Sequence, residues 1–567
     1  MIQTNERDST TRIAESPRRE TLRGLKQYPK FRELFLSLVR HAAEANMSKS
    51  GLNTRNSLKF RNMKCAVLIW VILPLSLLVS AQENFNKIWY TGAGRTFRTE
   101  FSLSGAINTK IDSIKNRYFD SGASSICDSN GNILLCSDGF SVYGADLEYL
   151  DGGYRLMDSS LFDFYNGHSN YSQSSIFLPI DDTTTYFINS GCSESQLNTV
   201  WLASGSKKSP FDRLYLSKIN LKANGGSGKV VERLKPIVQG EFMSKTQMMA
   251  CRHANGKDWW LLKMMHDSVS VYTFLITKDS VYNYGKQSFP YPRKTGANNI
   301  YWEIMGQIQL SPDGKKFAAT CNNMHNELFL AYFDRCNGKL SNMQKKNIPI
   351  LPTNFPASAN EPNDKYSTGL CFSPNGRFIY TINYTNIQQY DTWDPDSSTA
   401  WYHVANMDTV YDYFMGYSMG YLGWDDKLYI GNWHGLGKTM SVIDSPDNKG
   451  VACNWCAKCL RFPDTLGGAT NPPCQPNYNL GKDTSINCWP LANHSVNELT
   501  NLLEVYPNPT TGRLLIKGCK SSSVKELFTH SGQLLLRIKE NELDLSRLPK
   551  GLYLLRCEDQ IRKVVVE

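Results

Sequence analysis

Residues 310–323 read LSPDGKKFAATCNN and residues 372–384 read FSPNGRFIYTINY, two copies of one pattern. An apolar residue enters a Ser-Pro-Asp/Asn-Gly turn, and a strand rich in β-formers leaves it. Glycine supplies the positive φ that such a turn needs, and the Ser and Asx side chains bond back to the turn's own backbone. A third copy, ICDSNGNILLCSDG, surrounds Gly131. Weaker copies are FLPIDDTTTYFINS near Asp182, CRHANGKDWWLLKM around Gly256 and LGWDDKLYIGNW near Asp426.

Successive turns lie 51, 74, 58, 62 and 50 residues apart, the scale of a four-stranded propeller blade rather than of a helical solenoid. Alternating runs such as RLYLSKIN after Asp212 and ELFLAYFD after Asn326 supply partner strands, and no long helical periodicity interrupts them. The expectation is an all-β chain whose residues 83–445 form a multi-bladed β-propeller, with a tandem of β-sandwiches as the competing reading. The turns resemble those of WD40-like and YVTN-type propellers over most of residues 120–445.

Past Asn501 the pattern changes to LLEVYPNPTTGRLLIKG, VKELFTHSGQLLLRI and LDLSRLPKGLYLLRCEDQIRKVVVE. Short apolar or alternating runs separated by Pro-Asn-Pro, Thr-Gly, Ser-Gly and Pro-Lys-Gly turns read as a small Ig-like β-sandwich over 503–567. The segment resembles the C-terminal sorting domain of the type IX secretion system. The resemblance rests on Tyr506, Pro507, Asn508, Pro509 and Gly512 in its opening motif and on Gly532 in the central turn. It rests further on Leu548, Pro549, Gly551 and Tyr553 in LPKGLYLL and on the basic pair Arg562 and Lys563 near the end. It implies the type IX machinery as partner and passage through an outer-membrane translocon. Removal of the domain, with attachment to the outer-membrane surface or release, would follow. Each residue also has a plain local role: the prolines open a strand, Gly512 permits a positive φ, and Gly532 and Gly551 serve tight turns.

At the other end MKCAVLIWVILPLSLLVSAQ starts at Met63, with Lys59, Arg61 and Lys64 in front of an apolar stretch and Ser80-Ala81 behind it. A basic region, an apolar core and small residues are the parts of a secretory signal peptide, here 63–81 with cleavage after Ala81. The apolar run, broken by Pro74, falls short of the roughly 20 residues that a membrane anchor needs. Residues 1–62 are polar and basic and read as a disordered leader or as a mis-assigned start, with Met63 the true one.

The net charge of +10 belongs mostly to that leader: residues 1–62 hold 13 Lys/Arg against 6 Asp/Glu, and residues 65–567 hold 48 against 46. The mature part therefore lacks the basic excess of a phosphate-binding surface, and nucleic acid is not expected as a partner. Of 15 cysteines, Cys453, Cys456, Cys459, Cys474 and Cys488 gather in a Pro/Asn-rich stretch, 446–502, that reads as junction and linker. In a cytosolic protein Cys456-Ala-Lys-Cys459 would suggest zinc or a redox pair; in an exported one these five are candidate disulfide cysteines, with no pairing assignable.

No G-x-S-x-G elbow, H-E-x-x-H helix or phosphate-cradling loop appears, and Ser204-Gly205-Ser206 and Asn224-Gly225-Gly226 lack the flanks of a nucleotide site. No cofactor is implied. His253, His325 and His434 lie in or beside blade motifs and could converge on a central channel, with Asp138, Asp313 and Asp426 as acids or bases. Ordinary packing and Asx turn capping explain the same residues more simply. Trp259, Trp260, Trp302, Trp393, Trp424 and Trp433 could stack sugars or fill the core between blades. The reading is a secreted or cell-surface propeller protein with a binding or structural role toward a protein or glycan ligand. The alternative is a propeller hydrolase or lactonase with a metal or His/Asp site in the channel.

Overall fold

The computed structural model describes residues 84–102, 105–111, 117–198, 211–266, 268–292, 306–321, 326–351, 367–407, 416–432, 437–463, 471–485, 488, 503–519, 522–530, 533–557 and 560–567. The signal peptide, the leader before it, His325, His434, Trp302, Trp433 and Gly532 lie outside these residues.

Between Ile88 and Arg461 the strands follow one another in chain order and pair antiparallel with their sequence neighbours, so each sheet there is a meander. Blade 1 is β1 (Ile88–Thr91), β2 (Thr96–Ser102) and β3 (Gly105–Ile111); blade 2 is β4 (Ser124–Cys127), β5 (Ile133–Ser137) and β6 (Val142–Tyr143). Next comes one sheet of seven strands: β7 (Ser175–Pro179), β8 (Thr184–Gly191), β9 (Phe211–Asn220), β10 (Lys229–Arg252), β11 (Trp259–Met265), β12 (Ser268–Ile276) and β13 (Val281–Pro292). Three four-stranded blades follow. They are β14 (Ile308–Leu310), β15 (Lys316–Cys321), β16 (Glu327–Phe333) and β17 (Leu340–Asn347); β18 (Ser367–Phe372), β19 (Phe378–Asn383), β20 (Asn386–Asp391) and β21 (Trp401–Asn406); and β22 (Tyr417–Leu422), β23 (Leu428–Asn432), β24 (Thr439–Ile443) and β25 (Trp455–Arg461).

The seven-stranded sheet is two blades that share a strand. From Lys229 to Met243, β10 pairs with β9 as the outermost strand of blade 3; from Met243 to Arg252 it pairs with β11 as the innermost strand of blade 4. Its sequence changes with its role. Exposed and buried residues mix before Met243, and every residue from Met243 to Cys251 is buried. Among the described residues the ring thus has seven blades, two of them with three strands, where a uniform four-stranded repeat was expected.

All six turn motifs occupy one structural place, the hairpin between the innermost and second strands of blades 2 to 7. In the Ser-Pro-Asp-Gly copy, Asp313 accepts from Ser311 Oγ and from the Lys315 amide at 3.0 Å, and Ser311 Oγ accepts from the Lys316 amide at 2.9 Å. Gly314 and Gly376 take φ of +70° and +68°, a conformation costly for a side chain that carries Cβ.

Blade 7 meets blade 1 through side chains. Phe97 and Phe462 rings lie 5.0 Å apart, Trp89 and Phe101 pack on Tyr429 at 5.6 and 5.3 Å, and Asn108 Nδ2 donates to the Arg461 carbonyl at 2.8 Å. The sheet of blade 7 is complete without a strand from the other end of the ring. The chain then re-enters the ring. Residues 471–485, expected to lie in a free linker, include the buried Asn471, Cys474, Gln475, Tyr478 and Asp483. A stretch carrying Cys and Tyr among its prolines has apolar surface to bury, which a solvated linker lacks.

Residues 503–567 fold as a separate small sandwich of two sheets. One sheet is β26 (Glu504–Tyr506), β27 (Arg513–Lys517) and β30 (Glu542–Asp544); the other is β28 (Lys525–Thr529), β29 (Leu534–Ile538), β31 (Gly551–Cys557) and β32 (Gln560–Val566), ordered β29-β28-β31-β32. Leu514, Ile516, Leu527, Leu543, Leu555 and Val564 form its own core. The alternation of β27, exposed and buried by turns, is the period-2 signature of a strand with one covered face.

Candidate functional site

A ring of innermost strands turns a row of unpaired backbone N–H and C=O groups toward its axis, and such groups demand partners. In this protein amide side chains supply them. Gln173, just before β7, pairs with both backbone groups of Ile308 on β14, donating at 2.7 Å and accepting at 2.9 Å. Gln307 accepts from the Leu370 and Gly420 amides at 3.0 and 3.2 Å and donates to the Gly420 carbonyl at 2.8 Å, so it joins blades 5, 6 and 7. Gln247 on β10 donates to the Thr320 carbonyl at 2.7 Å.

The returning segment supplies the rest. Asn471 accepts from the Met419 amide at 3.1 Å and donates to Ser121 Oγ and Ser172 Oγ at 3.0 and 3.2 Å. The Cys474 amide donates to the Ala123 carbonyl at 2.9 Å, forming a parallel bridge to β4. Gln475 donates to the Ser125 carbonyl at 3.0 Å and accepts from Trp89 Nε1 at 3.1 Å. Tyr478 donates to the Phe177 carbonyl at 3.1 Å, and Asn477 to the Pro312 carbonyl at 2.8 Å. Arg335 Nη2 donates to the Gly481 carbonyl, and the Asp483 amide to the Ala254 carbonyl at 2.9 Å. A disulfide from Cys336 to Cys488 ends the segment on blade 5. One stretch of chain thereby touches blades 1, 2, 3, 4, 5 and 7.

His253 is a turn residue, not a channel ligand. Its Nδ1 accepts from the Asn255 amide at 3.0 Å, Nε2 faces the Cys336 carbonyl at 3.0 Å, and the ring packs on Trp260. Among the described residues no three His, Cys, Asp or Glu side chains stand close enough to hold a metal. Asp138 caps the Phe140 and Ser141 amides at 2.8 and 2.7 Å and accepts from the Tyr143 hydroxyl; burial pushes its carboxyl up to about 6. Asp426 sits in a hairpin at φ +59°, and burial, with Asp447 and Asp425 nearby, raises its carboxyl as well. Asp313 is the turn cap already described. Trp259 and Trp260 are buried and donate to the Pro179 and Arg335 carbonyls at 2.8 and 2.7 Å. Trp424 is half-buried, and Trp393 is exposed with Arg377 stacked over it.

The five junction cysteines separate into three kinds. Cys456 bonds to Cys459 within β25, Cys488 bonds to Cys336 far back in the chain, and Cys453 and Cys474 are buried thiols. Burial pushes the Cys474 thiol up to about 12, with the Tyr421 hydroxyl as its polar neighbour. A third bond, Cys519 to Cys557, staples the C-terminal sandwich.

In that sandwich Asn508 ties the opening motif to the last strand. Its Nδ2 donates to the Lys563 carbonyl at 2.7 Å and its Oδ1 accepts from the Val565 amide at 2.8 Å. Thr510 continues the seam, its amide donating to the Val565 carbonyl and its carbonyl accepting from Glu567. Arg562 Nε donates to the Leu503 carbonyl at 2.8 Å, and Tyr553 donates to the Pro549 carbonyl at 2.6 Å. Both Tyr506–Pro507 and Asn508–Pro509 peptides are cis. Leu548 packs against the core. Gly512 does not take the positive φ expected of it; its carbonyl accepts from Leu545 and its Cα faces Ser546, with room for a Cβ. Tyr506, with Lys517 Nζ over its ring at 4.9 Å, and Gly551 are exposed.

Residues 504–567 match the family described as the secretion system C-terminal sorting domain. The protein is accordingly exported by type IX secretion, to the cell surface or beyond it. No curated protein matches the chain. Among solved structures it is similar to the periplasmic gluconolactonase PpgL of Pseudomonas aeruginosa, at 12% identity over 85% of this chain and 99% of that one, with a TM-score of 0.34. A putative 6-phosphogluconolactonase from Bacteroides uniformis matches at 11% over 85% and 96%, with a TM-score of 0.32. A protein from Lactobacillus plantarum matches at 8% over 68% and 97%, with a TM-score of 0.37.

Proposed function

We propose that this chain is an exported propeller with a binding or structural role toward a protein or glycan, not a channel enzyme. One observation carries the reading: among the described residues, it is the amides Gln173, Gln307, Asn471 and Gln475, and not His or Asp side chains, that bond to backbone of the inner strands of several blades. Those amides serve ring integrity, and His253 and Asp138 are engaged in turns.

In this reading a signal peptide at 63–81 is removed, the propeller runs to Cys488, and 503–567 is the address that the type IX machinery recognises. Asn508, Pro507, Pro509 and Tyr553 shape that address together with Arg562 and Lys563. The test is made on protein purified from the culture medium or the cell surface. Elemental analysis should find no stoichiometric metal, a panel of aldonolactones should not be hydrolysed, and arrays of glycans and envelope proteins should show saturable binding. Metal at one equivalent together with lactone turnover would overturn the reading.

A further inference from the structure

Of the three disulfides among the described residues, two join positions far apart in the chain, 152 and 38 residues, whereas Cys456 and Cys459 are 3 apart. A bond closing so short a loop restricts the unfolded chain least, so stabilisation is a weak reason for it. Its setting points elsewhere. β25 is the outermost strand of blade 7, paired on one side only, with β24. The register runs Ile443 to Trp455 and Val442 to Cys456, then breaks before Met440 to Leu460. The residues that bulge out are Ala457, Lys458 and Cys459, all exposed, while Cys456 is half-buried behind them. Lys458 adopts φ +59°, which holds the bulge, and its amide donates to Ser441 Oγ at 3.2 Å. Blade 7 keeps Leu460 buried against the core on the far side of the bulge, so opening the bond need not disturb it.

We propose that Cys456 and Cys459 form a surface thiol–disulfide exchange site whose partner is a dithiol, on a protein or a small molecule. A thiolate of the partner attacks Cys459 Sγ, the exposed sulfur. The Cys456–Cys459 bond breaks, a mixed disulfide forms on Cys459, and Cys456 leaves as a thiolate that takes a proton from water. The partner's second thiolate attacks its own sulfur in the mixed disulfide and releases Cys459. The protein has gained two electrons and the dithiol has become a disulfide; the reverse sequence oxidises the site again. Exchange of this kind needs access to one sulfur. The exposed Cys459 supplies it.

The experiment uses the mature full chain and dithiothreitol as the probe dithiol, with alkylation at timed intervals and mass mapping of each cysteine. Cys456 and Cys459 should become labelled at least about tenfold faster than Cys336, Cys488, Cys519 and Cys557, as an exposed bond does relative to structural ones. The labelled protein should keep its circular dichroism, and an added small disulfide should re-form the bond before alkylation. Opening of all three bonds together, opening only when the chain unfolds, or failure to re-form would each overturn the proposal.

Discussion

Replacing Cys488 by Ala removes the only covalent tie that holds the returning segment to the ring among the described residues. The bond spans 152 positions, and by the loop-entropy relation a loop of that length restricts the unfolded chain by about 5 kcal/mol. Unfolding entropy near 2.1 cal/mol/K per residue gives roughly 0.85 kcal/mol/K for a ring of about 400 residues, so the melting temperature should fall by about 6 °C. The same relation gives about 2 kcal/mol for a loop of four residues, hence only about 2 °C for the double variant Cys456→Ala/Cys459→Ala. Differential scanning calorimetry of the two variants and of Cys336→Ala/Cys488→Ala separates the cases. The single and double variants at the long bond should shift alike, because either change breaks the same bond. A drop below about 1 °C for Cys488→Ala, or a larger drop for the Cys456/Cys459 variant, would refute the view that the segment closes the ring.

Gln475→Ala strands the Trp89 indole N–H and the Ser125 carbonyl in the core; a loss of about 2–4 kcal/mol is expected, read by urea unfolding. Asp138 has its carboxyl raised to about 6 by burial. The folded state therefore favours the protonated form, and stability present below about pH 4 is lost as pH rises through about 6. Asp138→Asn should flatten that decline by about 2–3 kcal/mol between pH 4 and 7.5, measured by denaturant unfolding at both ends. Asn508→Ala removes both bonds to β32; amides of 560–567 should exchange faster, the sandwich should lose about 1–2 kcal/mol, and the surface-exposed fraction of the protein should fall.

The ring was legible wherever a hairpin turn needed a special backbone. Gly131, Gly256, Gly314 and Gly376 all take positive φ, and such positions leave a mark in the sequence whatever the surrounding strands contain. Blade 1 stayed hidden because its hairpin, at Thr91–Thr96, has no Asx turn motif. The wide gap of 74 residues between the turns at 182 and 256 comes from the long connection 192–210 between β8 and β9, and the change of partner inside β10 is announced by no local pattern. The axis was illegible for another reason. Gln173, Gln307, Asn471 and Gln475 act on backbone groups 52 to 350 positions away, and a bond to backbone selects no residue type in the partner. Pro472, Pro473 and Pro476 made the returning segment read as a linker, although a residue without N–H also suits an extended stretch threaded between strands.

Blades 3 and 4 cannot be parted at a loop, since the boundary between them lies inside β10. A circular permutant opened in the connection before β4, β14, β18 or β22 would cut between complete blades, whereas one opened at Met243 would sever a strand that serves two sheets. Duplication or loss of single blades in such a ring is therefore barred at one junction of the seven, and the pair from β7 to β13 is the smallest unit there that could be copied, swapped or unfolded as a whole.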